Sequence, residues 1–293
     1  NQGFQSLNFP LNGVNAYEVG NRLANPDLKP EVTSEFEIGA DLSFFKNRIN
    51  IDFAYYKSEV VNQILGIPLA PSSGYTSQQA NVGTLTNKGI EALLSILIFK
   101  NNNNGFNWTT TLNYSKNENI LTELDPRIEQ VSLGGLSTTS FIAIEGQPVG
   151  LFYGYVPEKD PNGNVVVDSN GIPVASSVKE VYGDAQFDYT LGISNTLSYK
   201  NITLDFSFDI RQGGLMYSRT ADITRYVGNS ITTIENNRNP FIYPNSVVKT
   251  TDALGDVIYT PNTTYVDNEH MDNYYSSDAL SRANVIDLSL IHI

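Results

Sequence analysis

Glu35-Phe36-Glu37-Ile38-Gly39-Ala40-Asp41-Leu42-Ser43-Phe44 alternates without a break: the even positions are apolar or small, the odd ones polar or glycine. Successive side chains of a strand point to opposite faces, so this stretch predicts a strand with one apolar and one polar face. The same pattern spreads outward from it. After Lys46-Asn47-Arg48 the phase restarts with Ile49, Ile51, Phe53 and Tyr55 against Asn50, Asp52 and Ala54. Phe106, Trp108, Thr110, Leu112 and Tyr114 oppose Asn107, Thr109, Thr111, Asn113 and Ser115. Leu191, Ile193, Leu197 and Tyr199 oppose Thr190, Gly192, Ser194, Thr196 and Ser198. Ile202, Leu204, Phe206, Phe208 and Ile210 oppose Thr203, Asp205, Ser207, Asp209 and Arg211. No stretch of comparable length has the helical period.

Two architectures alternate in this way. A soluble β-sandwich usually carries Lys, Glu and Arg on its outward face. Here the polar face is rich in Thr, Ser, Asn and Asp, and the strands run to about 10 residues against a globular mode of about 5–6. A transmembrane β-barrel predicts both features. Connection lengths agree with it. Short turns are predicted at 46–48, 101–105 and 200–201, long polar stretches at 61–86, 116–138, 158–187 and 213–281. Short turns on one side and long loops on the other is the outer-membrane asymmetry. A further hairpin of 141–145 and 151–156 keeps the strands alternating in direction through a last one near 284–290. Phe44, Phe45, Phe99, Phe106 and Tyr199 cluster at the short-turn ends, as an interfacial aromatic girdle would. In the barrel reading Phe36, Ile38, Ile51, Phe53, Trp108, Leu112, Leu204, Phe206 and Phe208 face lipid. Glu35, Glu37, Asp41, Asp52, Glu91, Asn113, Asp205 and Asp209 then face the lumen.

Composition removes several other functions. The 293 residues hold 18 Lys plus Arg against 31 Asp plus Glu, a formal charge of −13, which disfavours nucleic acid as a partner. Cysteine is absent, and only His270 and His292 are available as imidazoles. Thiolate sites, disulfides and imidazole triads lack material, so an enzyme is not expected, nor any cofactor. The longest apolar run, 92–99, is interrupted by Ser95 and falls short of the roughly 20 residues of a helical span. The chain opens on Asn1 with no basic-then-apolar leader in view.

Four further stretches stand out for the spacing of their Asn, Gly, Pro and aromatic residues. They are Asn25-Pro26-Asp27-Leu28-Lys29-Pro30-Glu31 with Thr33 and Glu35 to Gly39, and Asn81-Val82-Gly83 with Asn87-Lys88-Gly89-Ile90-Glu91. The third, Glu145-Gly146-Gln147-Pro148-Val149-Gly150-Leu151-Phe152-Tyr153-Gly154-Tyr155, has the most specific spacing of Gly, Pro and aromatics. The fourth joins Gly183-Asp184, Asp188-Tyr189 and Gly192 to Arg211-Gln212-Gly213-Gly214. Together these stretches resemble the SusC/RagA-type TonB-linked outer-membrane proteins of the Bacteroidota, with one departure: Gln186-Phe187 precede Asp188 where that family usually has proline nearby. The resemblance implies about nine antiparallel strands of a 22-strand-type barrel with a plugged lumen. Residues 1–293 would be part of that barrel domain, without the plug, a signal peptide or a closing strand, and could not close alone. It also implies import of oligosaccharides or peptides across the outer membrane, with outer-membrane lipid, a SusD-like surface lipoprotein and the TonB complex as partners. A passive porin and a secreted carbohydrate-binding β-sandwich are the competing readings.

Candidate sites are few. Asp160-Pro161-Asn162-Gly163-Asn164 and Asp168-Ser169-Asn170-Gly171 invite a calcium reading, but the spacing misses the calcium-loop pattern, and two Asn-Gly turns predict a hairpin. The lumen-facing acids could be taken for catalytic pairs, yet on a water-facing wall charge is cheap. Tyr75, Tyr182, Tyr226, Tyr243, Tyr274 and Tyr275 lie in predicted loops and offer rings on which a sugar could stack.

Overall fold

The computed structural model describes residues 4–6, 12–15, 17–101, 105–136 and 138–292; the middle of the predicted turn 101–105 lies outside them. Three short strands open the chain: β1 (Phe4–Ser6), β2 (Tyr17–Val19) and β3 (Arg22–Leu23). Four long ones follow: β4 (Val32–Phe44), β5 (Ile49–Pro68), β6 (Ser77–Phe99) and β7 (Phe106–Leu124). Next come β8 (Val131–Leu136), β9 (Thr139–Ala143), β10 (Leu151–Pro157), β11 (Val165–Val167) and β12 (Ala175–Asp184). Long strands return in β13 (Phe187–Tyr199) and β14 (Ile202–Gly213), followed by β15 (Leu215–Tyr217) and helix α1 (Arg219–Tyr226). The remainder is β16 (Ser246–Thr251), β17 (Val257–Pro261), helix α2 (Met271–Ser276), β18 (Val285–Asp287) and β19 (Leu290–His292).

One eight-stranded sheet forms a wall in the order β19-β14-β13-β7-β6-β5-β4, with β3 beside the loop end of β6. Its pairs are antiparallel except β3 with β6. The sheet is open at both edges. The short turns share a rim: Phe44 faces Ile49, Phe99 faces Trp108, and Phe106 faces Tyr199 beside the turn into Ile202. Leu97 N donates to the Arg48 carbonyl at 2.7 Å and ties two of these turns together. Phe45, Lys46 and Asn47 take positive φ, the backbone twist that suits a tight hairpin. Residues 69–76, 125–186 and 214–289 connect strands on the other rim.

Three expectations need correction. Stretches 61–86 and 116–138 were expected as loops, but β5 continues to Pro68, β6 starts at Ser77 and β7 runs to Leu124. Alternation in side chains reports a difference between two solvents, and it fades wherever both faces meet the same one; the backbone ladder does not need it. A bulge, with Asn62 at φ 60°, also shifts the register there. Second, the hairpin 141–145/151–156 exists as β9 and β10, but it belongs to a separate sheet, β12-β10-β9-β8. Adding or removing a hairpin leaves strand parity unchanged, so parity could not place it. Third, 284–290 is not a wall strand: β18 pairs with β15, and the wall resumes only at Leu290.

Buried apolar groups gather at the loop side. Ala80, Val82, Leu121, Leu124, Val131 and Ala143 form a cluster over the loop ends of β6 and β7. Val166, Val167, Ile172, Val247 and Val266 are buried within the loops, where β11 lies parallel to β16 and β16 pairs with β17.

Candidate functional site

Cross-strand partners share a face, so register turns five separate alternations into one two-sided surface. On one side lie Phe36, Ile38, Ala40, Leu42 and Phe44, then Ile49, Ile51, Phe53 and Tyr55, then Ile90, Ala92, Leu94 and Ile96. Trp108, Leu112 and Tyr114 continue it, followed by Leu191, Ile193 and Leu197 and by Leu204, Phe206, Phe208 and Ile210. No second sheet covers this side among the described residues: Phe36 is 61% exposed, Leu204 57% and Phe206 37%. Ile51, Trp108, Leu112 and Phe208 are half-buried. Phe208 has the edge of Phe206 against it, ring centroids 5.7 Å apart. Phe44, Phe45, Phe99, Phe106 and Tyr199 are all exposed at the short-turn rim, so they are not hairpin-end core.

The opposite side holds Glu35, Glu37, Asp41, Asp52, Glu91, Asn113, Asp205 and Asp209, every one exposed. Asp41 and Asp52 are direct cross-strand partners, a like-charge pair tolerable only where water screens it. The Thr196 hydroxyl donates to Asp205 at 2.6 Å.

One buried amide sits on the apolar side, and its place in the alternation gave no hint of its partners. Asn195 is only 8% exposed; its side-chain oxygen accepts from Trp108 Nε1 at 3.1 Å and from Thr110 Oγ1 at 2.8 Å. All three belong to β7 and β13, the pair brought together across residues 125–186.

The family-like stretches interlock at the loop side. Asn81 accepts from Lys29 N at 2.8 Å and donates back to the Lys29 carbonyl and to the Asn62 carbonyl. Glu31 accepts from Ile64 N. Thus the segment around Pro26 and Pro30 is fastened across the bulged ends of β5 and β6.

The third stretch docks on β7 just past the end of its pairing with β13, where Thr190 faces Ser115. Gly146 N donates to the Leu121 carbonyl, Leu121 N to the Gln147 carbonyl and Val149 N to the Asn119 carbonyl; Pro148 bridges to Ile120. Gln186 completes the seam. Its side-chain oxygen accepts from Asn119 N at 2.9 Å, while its NH2 donates to the carbonyls of Asn119 at 2.7 Å and Val149 at 3.0 Å. An amide side chain therefore stands in for a missing strand residue, at the position where the family pattern was departed from. Asp184 accepts from Gln186 N. Gly150, at φ 92°, puts its Cα where a Cβ would sit 2.7 Å from the Phe141 ring; Phe152 packs against that ring at 5.2 Å. A Cβ at Gly154 would enter the Tyr182 hydroxyl, and one at Gly183 the Leu215 side chain. Tyr155 lies under the Lys179 ammonium, and Tyr153 is half-buried. These residues are scaffold, holding residues 119–124, 139–155 and 182–187 together.

The loop tyrosines divide. Tyr182 is 6% exposed, donates its hydroxyl to the Tyr155 carbonyl and lies under Arg282, whose guanidinium also donates to the Tyr182 carbonyl. Burial pushes its phenol up to about 12. It is a packing residue with no surface for a solute. Tyr75 stands apart, in the turn between β5 and β6. Tyr226, Tyr243, Tyr274 and Tyr275 converge. Tyr274 meets Phe241 at 5.2 Å, Tyr243 at 6.2 Å and Tyr275 at 5.0 Å, and Arg225 lies over Tyr275. A cleft of about 410 Å³ opens beside them, lined by Arg225, Arg238, Phe241 and Met271; a second of about 640 Å³ adjoins it and reaches Tyr226, Glu269 and Asp272. Sequence reading missed Arg225, Arg238 and Phe241, because nothing local marks residues brought together from both ends of a long loop.

The acids of the two Asn-Gly turns are occupied. Asp160 accepts from Asn162 N, Asn164 N and the Asn164 amide, which hold its carboxyl below the usual range. Asp168 accepts from Asn170 N and Ile172 N, and Asp252 closes a third loop of the same kind on Leu254 and Asp256. This is turn chemistry. Val165–Val167 is the middle of a meander closed by these turns, as the bridges of Lys159 to Val165 and Val167 to Pro173 record.

Comparison with known proteins gives a consistent answer. The family described as TonB dependent receptor-like, beta-barrel matches residues 1–168. TonB-dependent receptor P3 of Formosa agariphila is 31% identical over 233 residues, 72% of this chain and 23% of the relative. TonB-dependent receptor P26 of the same organism is 30% identical over 234 residues, again 72% and 23%. The chain thus spans about a quarter of the length of these relatives. The solved structure of the RagAB peptide importer in its closed-closed state superposes with a TM-score of 0.64 at 18% identity, covering 99% of this chain and 31% of that one. With that family matched over more than half of its residues, and with an open, two-faced antiparallel wall of the kind a barrel is built from, the chain belongs to the TonB-dependent receptors.

Proposed function

We propose that residues 1–293 form part of one β-barrel domain of an outer-membrane, TonB-dependent active importer of nutrients. The two-faced register carries this reading: six long strands share an apolar face that nothing covers among the described residues and a polar face rich in acids. Lipid is the solvent that suits the first face and a water-filled or plugged lumen the second. The importer works with a SusD-like surface lipoprotein over the loop side and with TonB through a plug domain, and its cargo is an oligosaccharide or a peptide. A structural neighbour that is a peptide importer supports the peptide alternative. The chain's role is wall and loop scaffold rather than catalysis. Tyr226, Tyr243 and the cleft beside them are the loop surface offered to cargo.

A passive porin would share the wall, but the Gly, Pro and aromatic spacing of Gly146–Tyr155 resembles the receptor pattern and speaks against it. A secreted β-sandwich would bury Phe206.

The test is charge placed on either face of one strand in the full-length receptor. Phe206→Arg must carry a guanidinium into the bilayer and should cost about 2–4 kcal/mol. Ser207→Arg, on the polar face opposite Ser194, should cost far less. Wild type and Ser207→Arg should fractionate with the outer membrane and resist carbonate extraction. Wild type in the soluble fraction would overturn the proposal.

A further inference from the structure

The apolar face carries no charge between the short-turn rim and a defined level on three adjacent strands. Moving from that rim toward the loops, the first charged side chain on this face is Lys57 on β5, Lys88 on β6 and Lys116 on β7. All three are lysines in a chain with 31 acidic residues to 18 basic ones, and all three are exposed. Lys57 and Lys88 are direct cross-strand partners, an arrangement that repels unless an anion sits between them. Glu118 pairs with Lys88 at 2.8 Å, and Glu59 stands one face position nearer the loops than Lys57. Among the described residues neither Lys57 nor Lys116 has an ion-pair partner.

Height gives an independent mark. Phe106 and Lys116 bound the apolar face of β7. At roughly 3.3 Å per residue and a tilt of roughly 40°, the span between them is about 25 Å tall, the height of an outer-membrane apolar band. The alternation also fades just beyond the lysines, although the ladder continues to Gly83 facing Leu124 and Pro68 facing Ser77. A lysine at that level can lay its four-carbon stem on the apolar band and lift its ammonium into the headgroups.

Resting on the membrane reading, we infer that Lys57, Lys88 and Lys116 form a row that binds the phosphate groups of anionic lipid at the loop-side surface of the bilayer. Glu59 and Glu118 limit the net charge of the row and so set its selectivity below that of three isolated lysines.

The experiment uses the full-length receptor in detergent, offered equal amounts of diphosphorylated lipid A and phosphatidylethanolamine, with retained lipid read by native mass spectrometry. Each basic residue near an anionic surface adds about a factor of five, and with the two acids opposing the three lysines, lipid A should be retained roughly fivefold over phosphatidylethanolamine. The combined Lys57→Gln, Lys88→Gln and Lys116→Gln variant should lose that preference, and the corresponding Arg variant should keep it. Lys46→Gln, Lys100→Gln and Lys200→Gln, at the opposite rim, should leave it unchanged. Excess inorganic phosphate should not displace the lipid. The proposal is overturned if the first Gln variant keeps wild-type preference, if wild type does not discriminate, or if phosphate alone competes. Should the Gln variant fail to assemble, wild type in high salt decides: an unchanged preference overturns the row. Wild type that is membrane-embedded but unselective defeats this inference alone, whereas soluble wild type defeats the importer reading.

Discussion

The long-strand wall and the loop crown bury their side chains in opposite ways. In the wall, large apolar groups such as Phe36, Ile38 and Leu204 stand exposed on regular strands. In the crown, short strands and turns enclose Ile142 at 1% exposure, Leu151 at 2% and Val266 fully. A soluble protein would do the reverse, with its best strands around its core and its loops bare. The difference shows that the crown carries a protein core of its own, while the wall needs a solvent supplied from outside the chain.

That contrast is sharpest when the solvent is changed. Ile142→Ala should cost about 2–5 kcal/mol, since it opens a cavity among protein atoms. The loss should be equal in detergent and in bilayer, read as faster hydrogen exchange of the 139–155 amides. A cost that depends on lipid would mean the crown also leans on the membrane. Phe206→Arg should behave in the opposite way, with its penalty tied to the bilayer.

Next in size are the polar exceptions within each region. Asn195→Leu leaves the Trp108 and Thr110 donors unpaired on the apolar face and should cost about 1–3 kcal/mol. Adding Thr110→Val should recover part of that, measured by denaturant titration of the full-length receptor; full additivity would show that the two residues do not act as a unit. Gln186→Ala removes three hydrogen bonds that join β7 to the 146–150 turn. Exchange at the amides of Asn119 and Val149 should rise about tenfold or more, from a loss on the order of 1–3 kcal/mol. Unchanged protection would mean that the backbone pairing of 119–121 holds the seam alone.

The smallest effect lies in the crown's surface. Asp267 holds the His270 imidazole above its ordinary range, through a 2.7 Å hydrogen bond at the start of α2. A raised folded-state value makes the contribution complete below the ordinary histidine range and lost as pH rises through the raised one. The protection factors of the 271–276 amides, from which the base catalysis intrinsic to exchange is divided out, should therefore be slightly lower at alkaline than at mildly acidic pH, and His270→Gln should remove that difference.

The sequence by itself determined the wall. Its alternation is local, so Glu35 to Phe44 declares a strand and its two faces without knowing any partner, and the short turns after Phe44 and Tyr199 declare a common rim. It did not determine where the strands end, because alternation stops near Lys57, Lys88 and Lys116 while the backbone ladder continues. Nor did it determine which segments leave the wall. The hairpin of β9 and β10 reads like any other pair of strands, and only long-range docking of 146–149 on β7 sends it into the crown. Tyr182 and Tyr226 are alike as loop tyrosines in the sequence, yet one is a buried packing residue and the other lines a cleft. Such choices depend on contacts between residues far apart in the chain, and those contacts exist only once the wall has brought β7 and β13 side by side.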